Sequence, residues 1–177
     1  MRINSASDDA AGVAISSRLS AEIRGTNQSI RNALDGQSLI DTAEGAHKEV
    51  ENLLQRMREL AIQAANGTND ADDITNLEAE FTALSTEITR IGEVTSFAGK
   101  ALTGTDATAF SFQVGSGTAT ANQISVTINS IKSASIGTDS GTQLSAVVTA
   151  GLDDLTETNA AIVVIDDAIK EVNTQRS

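Results

Sequence analysis

"LLQRMRELAIQAANGTND", residues 53–70, decides how this chain folds. Leu53, Met57, Leu60 and Ala64 recur at helical spacing and mark one apolar stripe. Gln55, Arg56, Arg58, Glu59 and Gln63 run beside that stripe, and Asn66-Gly67 then interrupts it. Gly67 is placed to take the left-handed conformation that often follows a helix end. Asp70, Asp72 and Asp73 come next, where the start of a new helix favours negative charge. The stretch therefore reads as helix, tight turn, helix, and so short a connection sets the second helix antiparallel to the first.

Upstream, Ile15, Leu19, Ile23, Ile30 and Leu34, then Ile40, Val50, Leu53, Met57 and Leu60, are separated by polar gaps of helical period. This predicts one long helix from residue 8 to about 65 that buries a narrow stripe, with Asn4, Ser5, Ser7 and Asp8 offering capping oxygens. At 1.5 Å per residue such a helix is roughly 80–90 Å long, which implies an elongated architecture. Downstream, Ile74, Leu77, Phe81, Leu84, Ile88 and Ile91 form a heptad seam.

The character changes over 97–150, where Gly, Ser and Thr dominate. "FSFQVG" (110–115) and "QISVTI" (123–128) alternate apolar and polar residues around "SGTATAN", which predicts a β-hairpin with a loop longer than two residues. Residues 132–143 read as turns and 144–152 as a short helix. A third long helix begins near 153, with Leu155, Ile162, Ile165, Ile169 and Val172 on its apolar side, and it stops mid-pattern at Ser177. The expectation is a mainly α fold: an elongated antiparallel helical bundle or coiled-coil rod with a small β-hairpin region. It is read as one domain, 1–177, composed of two helices (1–96), the hairpin and Gly/Ser/Thr-rich segment (97–150) and the start of a C-terminal helix (151–177).

Charge and composition narrow the function. Against 24 acidic residues stand 12 basic ones, a formal net charge of -12. That balance argues against nucleic acid and against an anionic membrane surface, both of which demand clustered Lys and Arg. With no Cys there is no disulfide and no thiolate chemistry. The apolar fraction is 40%, yet the aromatics are only Phe81, Phe97, Phe110 and Phe112, a composition suited to thin helix-on-helix packing. Residues 1–20 have no apolar core like that of a signal peptide, and the aliphatic run 160–165 is too short to span a bilayer.

No catalytic set converges. His47, the single histidine, falls beside Lys48 and Glu49 and reads as an ordinary surface residue. The aspartate pairs at 8–9, 72–73, 153–154 and 166–167 point about 100° apart on a helix, and three of them suit helix starts. A calcium loop beginning at Asp70 would need Gly where Thr75 stands and Glu where Phe81 stands. "GKA" at 99–101 lacks the spacing and hydroxyl of a phosphate loop. No enzyme activity, cofactor or metal is expected.

Three stretches taken together, "RINSASDDAAG" (2–12), "LQRMRELAIQAANGTN" (54–69) and "FSFQVG" (110–115), occur in the order found in bacterial flagellins, and the final "KEVNTQRS" resembles the start of that family's long C-terminal helix. The resemblance covers nearly the whole chain. It implies a filament subunit exported through the flagellar secretion apparatus, located outside the cell in the flagellum. It also implies other flagellin subunits, an export chaperone and the filament cap as partners. Flagellins usually carry further helical residues at both ends, so a truncated core that stays monomeric in dilute solution is expected. A hook–filament junction protein and a stand-alone surface binding module are the alternatives.

The resemblance further implies a contact surface. The "LQRxREL" segment of many flagellins binds Toll-like receptor 5 and neighbouring protofilaments. Carried over by motif, its residues are Gln55, Arg56, Leu60 and Gln63, joined by Glu80 from "NLEAEFTAL"; Met57 stands where the pattern has Val or a similar residue. Arg56, Leu60 and Gln63 are spaced to share one side of the helix.

Overall fold

The computed structural model describes residues 10–104 and 108–177. Four helices dominate: α1 (Ala10–Ala64), α2 (Ala71–Val94), α3 (Leu144–Ala150) and α4 (Leu155–Arg176). Two small two-stranded sheets accompany them, β1 (Ser96–Phe97) with β2 (Lys100–Ala101) and β3 (Thr108–Gln113) with β4 (Gln123–Ile128), together with single 3-10 turns at Thr120–Asn122 and Thr138–Ser140. The fold is thus mainly α with a little β, as the periodicity predicts. The chain divides into two compact units, one formed up to Leu39 together with Ala109–Val126, the other from Ile40–Thr108 and Thr127–Ser177. The predicted caps at Asn4, Ser5, Ser7 and Asp8, and the aspartate pair at 8–9, lie outside the described residues.

The second unit holds the main core. Val50, Leu54, Met57, Leu60, Ala61 and Ala64 of α1 meet Leu77, Phe81 and Ile88 of α2 and Ala161, Val164, Ile165, Ala168 and Val172 of α4. The heptad seam of α2 is realised in full, since Ile74, Leu84 and Ile91 pack against the same cluster. Ile131, Ile136, Leu144 and Val147 are also buried there, so the turn-rich stretch before α3 supplies core side chains. Alanine and other small aliphatic residues at the contacts let helices approach closely, which explains how a chain with so few aromatics closes a core. Leu155, expected on the α4 stripe, is exposed, and the buried Leu152 and Thr158 flank it.

The turn between α1 and α2 departs from its expected chemistry. Gly67 is not left-handed. Instead the Asn69 side-chain amide donates to the Gln63 carbonyl at 2.7 Å and the Ala64 carbonyl at 3.5 Å, satisfying acceptors left open at the end of α1. Asp70 then caps α2: its carboxylate accepts from Asp73 N at 2.8 Å, and its own backbone N donates to the Asp73 carboxylate at 3.3 Å.

In the first unit the hairpin lies on α1. Phe112 covers Gly36, where an added Cβ would meet its ring carbons at 3.2–3.3 Å, and the Asn32 amide donates to the Gln113 carbonyl at 2.9 Å. The connection between β3 and β4 is too short for a parallel crossover and closes with Val114 N and Gly115 N both donating to the Asn122 carbonyl. One expectation fails here. Ile15, Leu19, Ile23, Ile30, Leu34 and Ile40, read as part of a buried stripe, are 43–61% exposed. The period of the helix is as expected, but no described residue covers that face.

Candidate functional site

The motif residues 55–63 lie on the second unit's part of α1, and helical geometry sorts them. Successive residues rotate by about 100°, so Arg56 and Arg58 stand on opposite flanks of Met57, which points straight into the core. Each arginine reaches a different neighbour. Arg56 Nε donates to Glu80 Oε1 of α2 at 2.8 Å, while its Nη1 holds Glu59 at 3.0 Å. Arg58 Nε donates to Asp166 Oδ1 of α4 at 2.6 Å, with Nη2 reaching Oδ2 at 3.4 Å. Helix α1 is therefore tied on one side to α2 and on the other to α4.

Both pairs are about half exposed, so salt and water weaken them and they add little to stability. Their geometry matters more. The bond to Glu80, followed by that to Glu59, raises the Arg56 guanidinium further above its ordinary value, and Asp166 does the same for Arg58. Both remain cationic and oriented in a chain of net charge -12.

Of the residues that the motif implicates, the structure brings Arg56 and Glu80 into contact and leaves Gln55, Arg56, Gln63 and Glu80 exposed on the surface. Leu60 departs from them. It is 1% exposed, because its position one turn beyond Arg56 rotates it towards the core stripe, where it packs with Met57 and Ala64. It supports the surface from behind and does not lie on it.

His47 also differs from its sequence reading. It is 4% exposed, not a surface residue, and sits beside Gln175 and Arg176 of α4. Sequence position gave no hint of this, since the covering residues come from the far end of the chain. The Arg58–Asp166 tie was missed for the same reason, its partners being 108 positions apart.

The remaining polar features are structural. A surface cleft of about 530 Å³ is lined by Asn129, Ser135, Thr138, Asp139, Lys170 and Glu171 among others. Its charges are already engaged: Lys170 Nζ bonds Asp139 at 2.7 Å, and the Glu171 carboxylate accepts from Gly137 N, Thr138 N and Thr138 Oγ1. Glu78 likewise accepts from Leu152 N at 2.6 Å, joining α2 to the turn before α4. Among the described residues no helix is long and apolar enough to cross a membrane.

Comparison with known proteins places the chain. Residues 1–108 match the model of the bacterial flagellin N-terminal helical region. Flagellin E of Vibrio cholerae is 50% identical over 125 residues, 71% of this chain and 33% of that protein. Polar flagellin F of Vibrio parahaemolyticus is 50% identical over 123 residues, 70% of this chain and 33% of that protein. The match thus spans about a third of the length of these relatives. Among solved structures, Bacillus cereus flagellin superposes with a TM-score of 0.61 at 30% identity, over 82% of this chain and 78% of that one. FliC from Burkholderia pseudomallei shares the fold, with a TM-score of 0.63 at 18% identity over 78% of this chain and 95% of that one. A family match over 1–108, more than half of the sequence, together with this fold, means that the chain belongs to the bacterial flagellin family.

Proposed function

We propose that the chain is the helical-domain portion of a flagellar filament subunit, a structural and non-enzymatic protein that works outside the cell in bacterial motility. Its partners on this reading are neighbouring flagellin subunits, with the export chaperone and filament cap met on the way to assembly. Family membership supports the reading, and so does a core of small aliphatic side chains suited to packed helices.

We further propose that Gln55, Arg56, Gln63 and Glu80 form a contact surface, used between subunits and bound by Toll-like receptor 5 of hosts. The observation that carries this is the Arg56 side chain, held by Glu59 and Glu80 yet still about half open to solvent. An arginine fixed before binding loses less side-chain entropy in a complex, and arginine is a frequent interface anchor. Leu60 acts here only by holding α1 in place.

The test is binding of the receptor ectodomain to the native chain and to Arg56→Ala and Glu80→Ala. Loss of a central anchor should weaken binding by about tenfold or more. Strong native binding that neither substitution changes refutes the assignment.

A further inference from the structure

The buried histidine has no part in the contact surface. The His47 ring and the Gln175 side chain meet at the buried place where the last turn of α4 rests on α1, and neither His47 Nε2 nor Gln175 Oε1 makes a well-formed hydrogen bond. That turn is otherwise secured by Val172 in the core and by Arg176, which reaches Glu51 through a short bond at 2.5 Å and Glu44 at 3.8 Å. Imidazole is the side chain whose charge changes nearest neutral pH, and here it is shut away from water.

We propose that His47 is an acid-sensitive latch: uncharged, it closes the junction between α1 and α4, and protonated, it releases the last turns of α4. A proton on the ring would place a second cation beside Arg176 in a site with little water. Outward movement of α4 residues 172–176 relieves both the repulsion and the desolvation, at the cost of the largely buried Arg176–Glu51 pair, the more open Arg176–Glu44 pair and the burial of Val172.

The surrounding charges favour this sense. Burial and then Arg176 hold the imidazole below its ordinary value of 6.5, while Gln175 and Glu44 oppose the shift less strongly. On its own helix, Glu51 is committed to Arg176, and Lys48 and Glu49 are exposed. On α4, Lys170 is bonded to Asp139 and Glu171 to Gly137 and Thr138. On α2, Glu87 and Arg90 pair with each other, and α3 carries no charge.

The direction in pH follows. When released, the ring binds a proton near 6.5; when closed, it binds one only at lower pH. The open state therefore holds more protons below about pH 6.5, and the junction weakens as pH falls through that value while being fully closed above it. From about pH 6.5 to 5.5 the open population grows by up to about fivefold.

The chain has a single histidine, so its magnetic resonance titration is unambiguous. The experiment combines that titration with hydrogen exchange of residues 168–176 at pH 7.5, 6.5 and 5.5, corrected for the chemical rate, for the native chain, His47→Gln and His47→Leu. The expected result is a titration below 6.5, opening of α4 residues 168–176 that rises by up to about twofold from pH 7.5 to 6.5 and up to about fivefold from 6.5 to 5.5, and no such rise in either variant. Titration at or above 6.5, an equal rise in the variants, or acid opening spread evenly over α1 and α2 overturns the proposal. Should neither variant fold, the titration of the native chain decides.

Discussion

Phe81 is the sharpest test of the core. The four phenylalanines look equivalent in sequence, but only Phe81 is fully enclosed, at 1% exposure, where α2 meets the stripe of α1. Phe97, Phe110 and Phe112 are half-buried. Truncating an enclosed phenylalanine to alanine removes the transfer free energy of its ring and leaves a cavity, together about 3–5 kcal/mol. The neighbours around it are leucine, methionine, isoleucine and alanine on helices fixed by their own packing, so the gap closes only in part. With a urea dependence of about 2–3 kcal/mol per molar, typical of small proteins towards this size, the unfolding midpoint should fall by about 1–2 M. The assay is urea unfolding followed by far-ultraviolet circular dichroism, which suits a helical chain without Trp or Tyr. Phe81→Leu, which refills most of the space, should recover most of the loss, and Phe97→Ala should shift the midpoint by less than half as much. A shift under about 0.5 M for Phe81→Ala, or a larger one for Phe97→Ala, would refute the account of the core.

Two further outcomes rest on local geometry. Gly36→Leu should lift the hairpin from α1, seen as lost hydrogen-exchange protection in β3 and β4, because even its Cβ would already sit 3.2–3.3 Å from the Phe112 ring; Gly36→Ala should be mild, since gaining helix propensity of about 0.5–1 kcal/mol offsets a small displacement of the ring. Asp70→Ala removes the carboxylate that accepts from Asp73 N, leaving only the backbone N–H of residue 70 bonded to Asp73, and should cost about 0.5–2 kcal/mol by urea unfolding, whereas Asp72→Ala, which caps nothing, should cost clearly less.

What sequence made legible is what depends on neighbours along the chain. The α2 seam from Ile74 to Ile91, the acidic start of α2, the hairpin and the late helix all follow from spacing and local chemistry. What it missed depends on distant residues. An apolar period tells where a helix could bury a face, not whether anything covers it, and so Ile15 to Ile40 keep the period yet stay exposed. Gly67 looked like the obvious helix terminator, but the Asn69 amide reached the same carbonyls first, removing the need for a left-handed residue. The charged sequence neighbours of His47 point to a surface residue, whereas the residues that bury it arrive from α4. Leu60 continues the stripe of Leu53, Met57 and Ala64, and its burial follows from that membership more than from its spacing to Arg56.

The same stretch shows why polar residues accompany the stripe at all. Aliphatic packing between helices has no strong directional preference, and a row of leucine, methionine and alanine tolerates some rotation of α1 about its own axis. Arginines placed about 100° to either side of Met57 remove that freedom, because Arg56 can meet Glu80 and Arg58 can meet Asp166 together in only a narrow range of rotation. The two ties need not be strong to do this; they need only be on opposite sides. The rotation they fix is also what sets Gln55, Arg56 and Gln63 outward beside Glu80, so the surface proposed as a contact is specified by the interactions that orient the helix. A substitution at Gln55 or Gln63 alters that surface without touching the orientation, whereas one at Asp166, on the far side of α1, loosens the orientation without touching the surface.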